Sequence, residues 1–426
     1  MSEIKNLPKD WKWVKLGDVC EKMSNGANVK QVDDKIGFPI SRIETIWNET
    51  IDLSRVKYIQ EDDAAFVEKY SLKKGDILFS HINSDIHLGK TAIFKNQTKI
   101  LIHGINLLVI RLNNDVLANF FNYQFKYKRR KGEFIQIAQK SVNQSSINQP
   151  KLKNIDFVLP PKPVQQAIVS KIEELFSELD KGIENLRLVQ QQLRTYRQAV
   201  LKWAYEGKLT NENVKDNELP KEWRWVKMGD LIEKPKYGSS KKCEYEIKGL
   251  GVLRIPNIVR GVVDSTDLKF AKFTQQEIEA YSLKEGDILT IRSNGSVDIV
   301  GKCALITKKD EGFLYAGYLI RLRPIPKVVL SKYLINILSS GNLRNQIEDK
   351  SKSTSGINNI NSEELAGLRI SLPSMEEQHA VVQEIESRLS VADKMEESIT
   401  QSLQQAEALR QSILKRAFEG SLLIHK

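Results

Sequence analysis

Two short polar loops carry the side chains best suited to chemistry in this sequence. Ser80-His81-Ile82-Asn83-Ser84-Asp85 and Ile291-Arg292-Ser293-Asn294-Gly295-Ser296 each follow an apolar run that begins at a Gly-Asp pair. An arginine fork matches the two major-groove acceptors of guanine, and an asparagine amide matches the donor and acceptor of adenine. Arg292 is therefore the guanine candidate and Asn83 and Asn294 the adenine candidates. Ser80, His81, Ser84, Ser293 and Ser296 stand beside them, and ordinary turn chemistry is the competing use. A second loop pair, Ser24–Lys30 and Lys236–Lys242, adds Asn25, Lys30, Tyr237, Ser239, Ser240, Lys241 and Lys242. Arg42 in Ser-Arg-Ile-Glu and Arg254 in Leu-Arg-Ile-Pro-Asn, which ends at Asn257, occupy matching places. They serve either an ion pair that supports the fold or a nucleic-acid contact. The basic run containing Lys126, Lys128, Arg129, Arg130 and Lys131 is either a phosphate-contacting patch or a solvated helix end. The polar stretches Lys140–Asn148 and Lys350–Asn359 are further loop candidates.

Catalytic constellations fail on spacing. His81 and His87 have no third partner at metal-ligand spacing. Gly89-Lys90-Thr91 has the end of a phosphate-binding loop, but Ser84 stands where that loop needs its first glycine. Gly295 to Gly301 is one residue too long, and Cys303 replaces the hydroxyl. There is no Gly-rich cofactor loop of methyltransferase type, and Pro160-Pro161 leads into Lys162 rather than an aromatic residue. Cys20, Cys243 and Cys303 form neither a disulfide framework nor a zinc spacing, which suits a reducing cytoplasm. No apolar run approaches the length needed to cross a membrane, and no signal-peptide core follows the amino terminus. The expectation is a cytoplasmic chain, away from membranes, with no catalytic site and no metal site of its own.

The elements that must position these loops are written twice. Leu7-Pro8-Lys9-Asp10-Trp11-Lys12-Trp13-Val14-Lys15 returns as Leu219-Pro220-Lys221-Glu222-Trp223-Arg224-Trp225-Val226-Lys227. Tyr70 to Leu78 returns as Tyr281 to Leu289, and Leu201 to Gly207 as Leu414 to Gly420. A unit this long is a duplicated domain-plus-helix module, too large for a solenoid repeat. Short strands are expected at Ile77–Phe79, Thr91–Phe94 and Leu107–Leu112, with a helix from Val116 to Tyr127. The same order is expected from Ile288, Cys303 and Leu319 to a helix around Tyr333, Leu334 and Ile337. Apolar residues then recur every three or four positions from Ile168 through Tyr196 and Trp203, and again from Val382 through Met395 and Leu409 to Ile413. Pro163 at a first helical position, a Ser374–Glu377 capping box, and Gly207 and Gly420 as caps bound two helices of roughly 42 residues, about 60 Å each. Such helices need partners for their apolar stripes, and each supplies the other's as an antiparallel coiled coil if a pseudo-two-fold axis relates the modules. The fold class is thus α+β: two α+β domains at 1–162 and 210–374, with linker 210–218, and long helical segments at 163–209 and 375–426.

Charge divides along the same lines. The net charge of +11 is +8 over 1–162 and +5 over 210–374, against +1 over 163–209 and −3 over 375–426. A polyanion touching the globular parts, with the helices left to another partner, requires that division. A basic surface that only aids solubility is the bland alternative.

The repeated Gly-Asp-Ile-Leu and Gly-Lys motifs, with Leu159-Pro160-Pro161, Gln165 and Ile172-Glu173 recurring as Leu372-Pro373, Gln378 and Ile385-Glu386, give a family resemblance. The chain resembles the specificity subunit of type I restriction–modification systems over essentially its whole length. The resemblance implies a non-catalytic DNA-binding subunit whose two target-recognition domains each read one half of a split double-stranded DNA target. It implies helices that act as a spacer and dock two methyltransferase subunits, with motor-nuclease subunits joining them. S-adenosylmethionine, ATP and Mg2+ would then be used on those other subunits. The divergent loops imply an asymmetric target. A related motor-less system, or a coiled-coil adaptor that binds no DNA, are the competing readings.

Overall fold

The computed structural model describes residues 7–424 except 62, 97–98, 143, 212, 217 and 352–355. Parts of both polar stretches named above, at 143 and 352–355, therefore lie outside the described residues. The chain forms two units, Met1–Leu186 with Gln401–Lys426, and Arg187–Thr400. Each globular part is built together with one half of each long helix.

In the first unit a four-stranded antiparallel sheet runs Cys20–Asn25, Leu108–Leu112, Ile77–Phe79, Thr91–Ile93. Its central strands carry the buried apolar runs Ile77–Phe79 and Leu108–Ile110, because both faces are covered there. Ile77, Phe79, Leu108 and Ile110 face a core shared with the helix Ala118–Arg130, whereas Leu78, Ala92 and Val109 face a smaller cluster with Ile46 and Leu101. Alternation along each strand produces the division. The second unit repeats the order with Lys236–Tyr237, Leu319–Leu322, Ile288–Ile291 and Cys303–Leu305, and covers it with the helix Ser331–Leu338. The strand and helix expectations thus hold in order and type. The first helix starts two residues later than its pattern suggested, because the Leu117 backbone is still extended (φ −77°, ψ 129°), and the Leu117 N–H donates to the Gln165 side chain at 2.9 Å.

The repeated Gly-Asp has a structural purpose. Asp76, almost wholly buried, receives both Arg111 Nε and Nη2 at 2.7 Å, and the Lys73 N–H at 2.7 Å. Asp287 does the same with Arg323 at 2.6 and 2.7 Å and with the Lys284 N–H at 2.9 Å. Each carboxylate ties the turn before one central strand to the end of its neighbour through a bidentate pair.

The long helices are Lys162–Glu206, 45 residues, and Met375–Phe418, 44 residues. Pro163 sits one position inside the start rather than at it. The Ser374 hydroxyl accepts the Glu377 N–H at 3.3 Å, but Glu377 does not complete a capping box. Its carboxylate instead accepts from Thr210 and Asn211 at 3.2 and 2.7 Å. Gly207 and Gly420 terminate the helices with φ of +76° and +80°, the left-handed geometry that a side chain disfavours. Within the second unit Arg197 bridges Asp393 at 2.7 Å and Glu396 at 3.0 Å. Within the first, Arg410 pairs with Asp180. Side-chain bridges thus join the two long helices in each unit.

The apolar stripe needs correction at its ends and edges. Ile168, Val169, Ile172, Ile413 and Leu414 pack into the globular core of the first unit, and Val200, Leu201, Val381, Val382 and Ile385 into that of the second. Only the middle stretches, with Leu193, Ala392, Ile399 and Ala406 buried, serve as a pure helix–helix seam. Tyr196, Trp203, Met395 and Leu409 are exposed. A helix with one neighbour buries a narrow stripe, and these residues fall outside it.

Candidate nucleic-acid interface

In both units the residues of reading type converge where three chain segments end. In the first, the edge strand delivers Asn25, the segment after Phe79 delivers His81, and the start of the helix Gln149–Lys153 delivers Gln149. The strand Ile82–Asn83 pairs with Ser145–Ser146, and Asn148 then caps the helix by accepting the Lys151 N–H at 2.9 Å. This pairing and cap place Gln149 beside Asn25. Gln149 Nε2 donates to Asn25 Oδ1 at 2.7 Å, and Asn25 Nδ2 lies 3.2 Å from His81 Nε2. Burial lowers the His81 pKa to about 4, so the imidazole is neutral at physiological pH and acts through hydrogen bonds rather than charge. Its Nδ1 is buried without a partner among the described residues. A pocket opens beside the cluster, lined by Asn25, His81, Ser146, Gln149, Pro150 and Lys153.

The second unit rebuilds this corner with other side chains. Ser293–Asn294 pairs with Asn358–Asn359, and Asn361 caps Ser362–Ala366 through the Glu363 and Glu364 N–H groups. Tyr237 stands where Asn25 stands, Arg292 where His81 stands, and Ser362 where Gln149 stands. The Arg292 guanidinium lies over the Tyr237 ring, 4.7 Å from its centroid, and its Nε donates to Asn359 Oδ1 at 3.2 Å. The Tyr237 hydroxyl meets Ser362 Oγ at 3.3 Å and accepts the Ser362 N–H at 3.0 Å. The residue after the edge strand is glycine both times, for a steric reason. A Cβ on Gly26 would lie 2.2 Å from the His103 carbonyl oxygen, and one on Gly238 2.3 Å from that of Ala316.

The other sequence candidates separate by what they touch. Lys30, Ser84, Ser240 and Ser296 are exposed, while Asn83, Ser293 and Asn294 are half-buried near the loop tips. Asn83 and Asn294 are turned partly to their own loops, accepting the Ser84 and Ser296 N–H groups at 2.9 and 3.0 Å. Ser80 is buried and bonded to Asn83 at 3.2 Å, and Ser239 is buried and accepts the Lys241 N–H at 3.2 Å. Lys241 and Lys242 pair with Glu277 and Glu244.

The remaining candidates also make contacts within the fold. The basic run is largely committed internally: Lys128 is buried against Glu133 at 2.8 Å, and Arg129 donates to the Leu88 and Ile86 carbonyls. Arg130 pairs with Glu407 at 2.9 Å, and Lys126 with Glu49 at 2.6 Å. Asn257 is buried and ties its own turn together through Arg254 N–H and the Asp264 and Asp267 carbonyls. Arg42 pairs with Glu44 at 3.0 Å and Arg254 with Asp267 at 3.2 Å, so each makes the ion pair that was one of its two expected uses. Sequence reasoning missed Gln149 and Ser362 as members of the two clusters, and named Asn359 only as the end of a polar stretch. Their signal was available only as Asn-x-x-Lys and Asn-x-x-Glu helix caps following the polar stretches.

No group of three or more metal-ligating side chains occurs among the described residues, and no described helix is long and apolar enough to cross a membrane. A family model for the type I restriction modification DNA specificity domain matches the chain twice, over residues 8–186 and 220–408. The chain belongs to this family. It is 37% identical over 233 residues to the putative type I restriction enzyme MjaX specificity subunit of Methanocaldococcus jannaschii, covering 54% of each chain. It is 30% identical over 282 residues to the type I restriction enzyme EcoKI specificity subunit of Escherichia coli K12, covering 65% of this chain and 61% of that one. The chain thus spans about half to three-fifths of these curated relatives. The HsdS subunit from Thermoanaerobacter tengcongensis shares the fold at a TM-score of 0.61 with 19% identity over 98% of each chain. A chain solved in work on complex assembly and conformational transition of the type I R-M system does so at 0.69 with 20% identity, over 98% of this chain and 100% of that one.

Proposed function

We propose that the chain is the DNA-reading subunit of a type I restriction–modification complex, with each globular part reading one half of a bipartite, asymmetric duplex target. One observation carries this reading: the same sheet, the same Asp–Arg clamp and the same glycine contact are built twice, while the residues at three equivalent loop positions differ completely. A scaffold held constant beneath divergent polar groups suits sequence readout, where scaffold and backbone contacts give position and side chains on base edges give identity. The concentration of positive charge in 1–162 and 210–374 supplies the complementary field. The paired helices set the spacing of the two half-sites and offer their outer faces to two methyltransferase subunits. Adenine methylation from S-adenosylmethionine, and ATP- and Mg2+-dependent DNA translocation and cleavage by motor-nuclease subunits, belong to those partners. The chain itself works in the cytoplasm and performs no catalysis.

Titration of labelled random duplexes with the full chain, alone and with a type I methyltransferase subunit, tests the proposal. Binding should weaken linearly in log Kd against log salt, with a slope reporting several phosphate contacts. Absence of salt-dependent binding in both cases would leave a structural adaptor as the better reading.

A further inference from the structure

Arg292 has a geometry that its ion-pair counterparts lack. Most arginines discussed above end on a carboxylate or a backbone carbonyl. Arg292 is instead held from behind, by Asn359 at Nε and by the face of Tyr237, and its two terminal nitrogens have no hydrogen-bond partner among the described residues. The Tyr237 ring is itself fixed through its hydroxyl to Ser362. A half-buried guanidinium oriented on one edge and stacked on one face has lost most of its rotamer freedom before any ligand arrives, while its fork still needs two acceptors. Guanine O6 and N7 supply them at the matching spacing.

None of the three equivalent side chains in the first unit is a cation, and Lys153 only lines the pocket beside them. The three are two amides and a neutral imidazole, linked in the chain Gln149, Asn25, His81. Gln149 keeps one amide N–H and its carbonyl oxygen for a ligand, the donor–acceptor pair that fits adenine N7 and N6. We infer that positions 25, 81 and 149, and their equivalents 237, 292 and 362, are the specificity-determining sets of the two units, with Arg292 reading guanine and Gln149, positioned by Asn25, reading adenine. Tyr237, Asn359 and Asn25 are positioning residues. The inference rests on the proposed DNA-reading function.

Selection of bound duplexes from a randomised pool, using the full chain with its methyltransferase, separates the two levels. Wild type should enrich a two-part motif; if it enriches nothing, the function reading itself is overturned. Given a wild-type motif, Arg292→Ala should make one guanine column degenerate, with preference at that position falling roughly 10- to 100-fold, and leave the other half unchanged. Gln149→Ala should erase one adenine column in the other half only. Tyr237→Phe keeps the stacking face and should retain the guanine, whereas Tyr237→Ala should weaken the same column that Arg292→Ala erases. Thermal melting of each variant checks that it folds. Should a folded Arg292→Ala return the wild-type motif, or lose affinity without changing any column, the assignment is overturned while the function reading stands.

Discussion

At the scale of single residues, two buried groups make quantitative demands. Asp287 is almost wholly buried and its partner Arg323 is about one-fifth exposed, so removing the carboxylate strands a guanidinium in low dielectric. Asp287→Ala should destabilise the second unit by about 3 kcal/mol in urea denaturation of the full chain. A loss under about 0.5 kcal/mol would show the clamp to be dispensable. His81 makes the first unit sensitive to acid. Its pKa is about 4 in the folded chain against 6.5 for an ordinary histidine. Between those values the unfolded chain takes up a proton that the folded chain refuses, so stability falls as pH drops from 6.5 toward 4 and is flat above 6.5. His103, also lowered by burial, acts in the same direction. His81→Gln should therefore flatten part of the stability-versus-pH slope in that window, whatever constant offset it adds at every pH; an unaltered slope would place the titration elsewhere.

At the scale of elements, the starts of the long helices are locked by two buried glutamines. Gln165 accepts the Leu117 N–H and donates to the Asp115 and Pro160 carbonyls at 2.8 and 2.9 Å. Gln378 accepts the Leu330 N–H at 2.8 Å and donates to the Val328 and Pro373 carbonyls at 3.1 and 3.2 Å. Each thereby fixes the long helix to the loop before the sheet-covering helix. Gln378→Leu removes three hydrogen bonds and leaves their buried partners unsatisfied, so it should cost at least about 2 kcal/mol by chemical denaturation. A near-neutral result would mean that the helix start is held by packing alone. These elements were the most legible part of the sequence. Bounded apolar runs such as Ile77–Phe79 and Leu319–Leu322 can be strands by length and flanking turns, and Gly207 and Gly420 stop long periodic runs. The reading clusters were only half legible, because Gln149 lies 124 residues from Asn25, and Ser362 lies 125 from Tyr237. Local pattern carries no information about such pairings. The internal contacts of the basic run were hidden for a related reason: charge is visible in sequence, but the Leu88 and Ile86 carbonyls that accept from Arg129 are not.

At the scale of the whole molecule, duplication provides two frames of one design, and divergence at a few loop positions gives each frame its own chemistry. Both long helices contribute to both units, so a change in helix length is expected to alter where the second half-site falls. Removing four residues around Gln190-Gln191-Gln192 shortens a helix by about 6 Å. The most direct measurement of the central claim is a series of duplexes that carry both selected half-sites with the gap between them varied one base pair at a time. Affinity of the full chain with its methyltransferase should peak at a single gap length, and fall sharply when either half-site is scrambled. In the four-residue deletion the peak should move or vanish. Equal affinity at every gap, or full affinity for one half-site alone, would contradict a chain built to read two unlike sequences at a fixed separation.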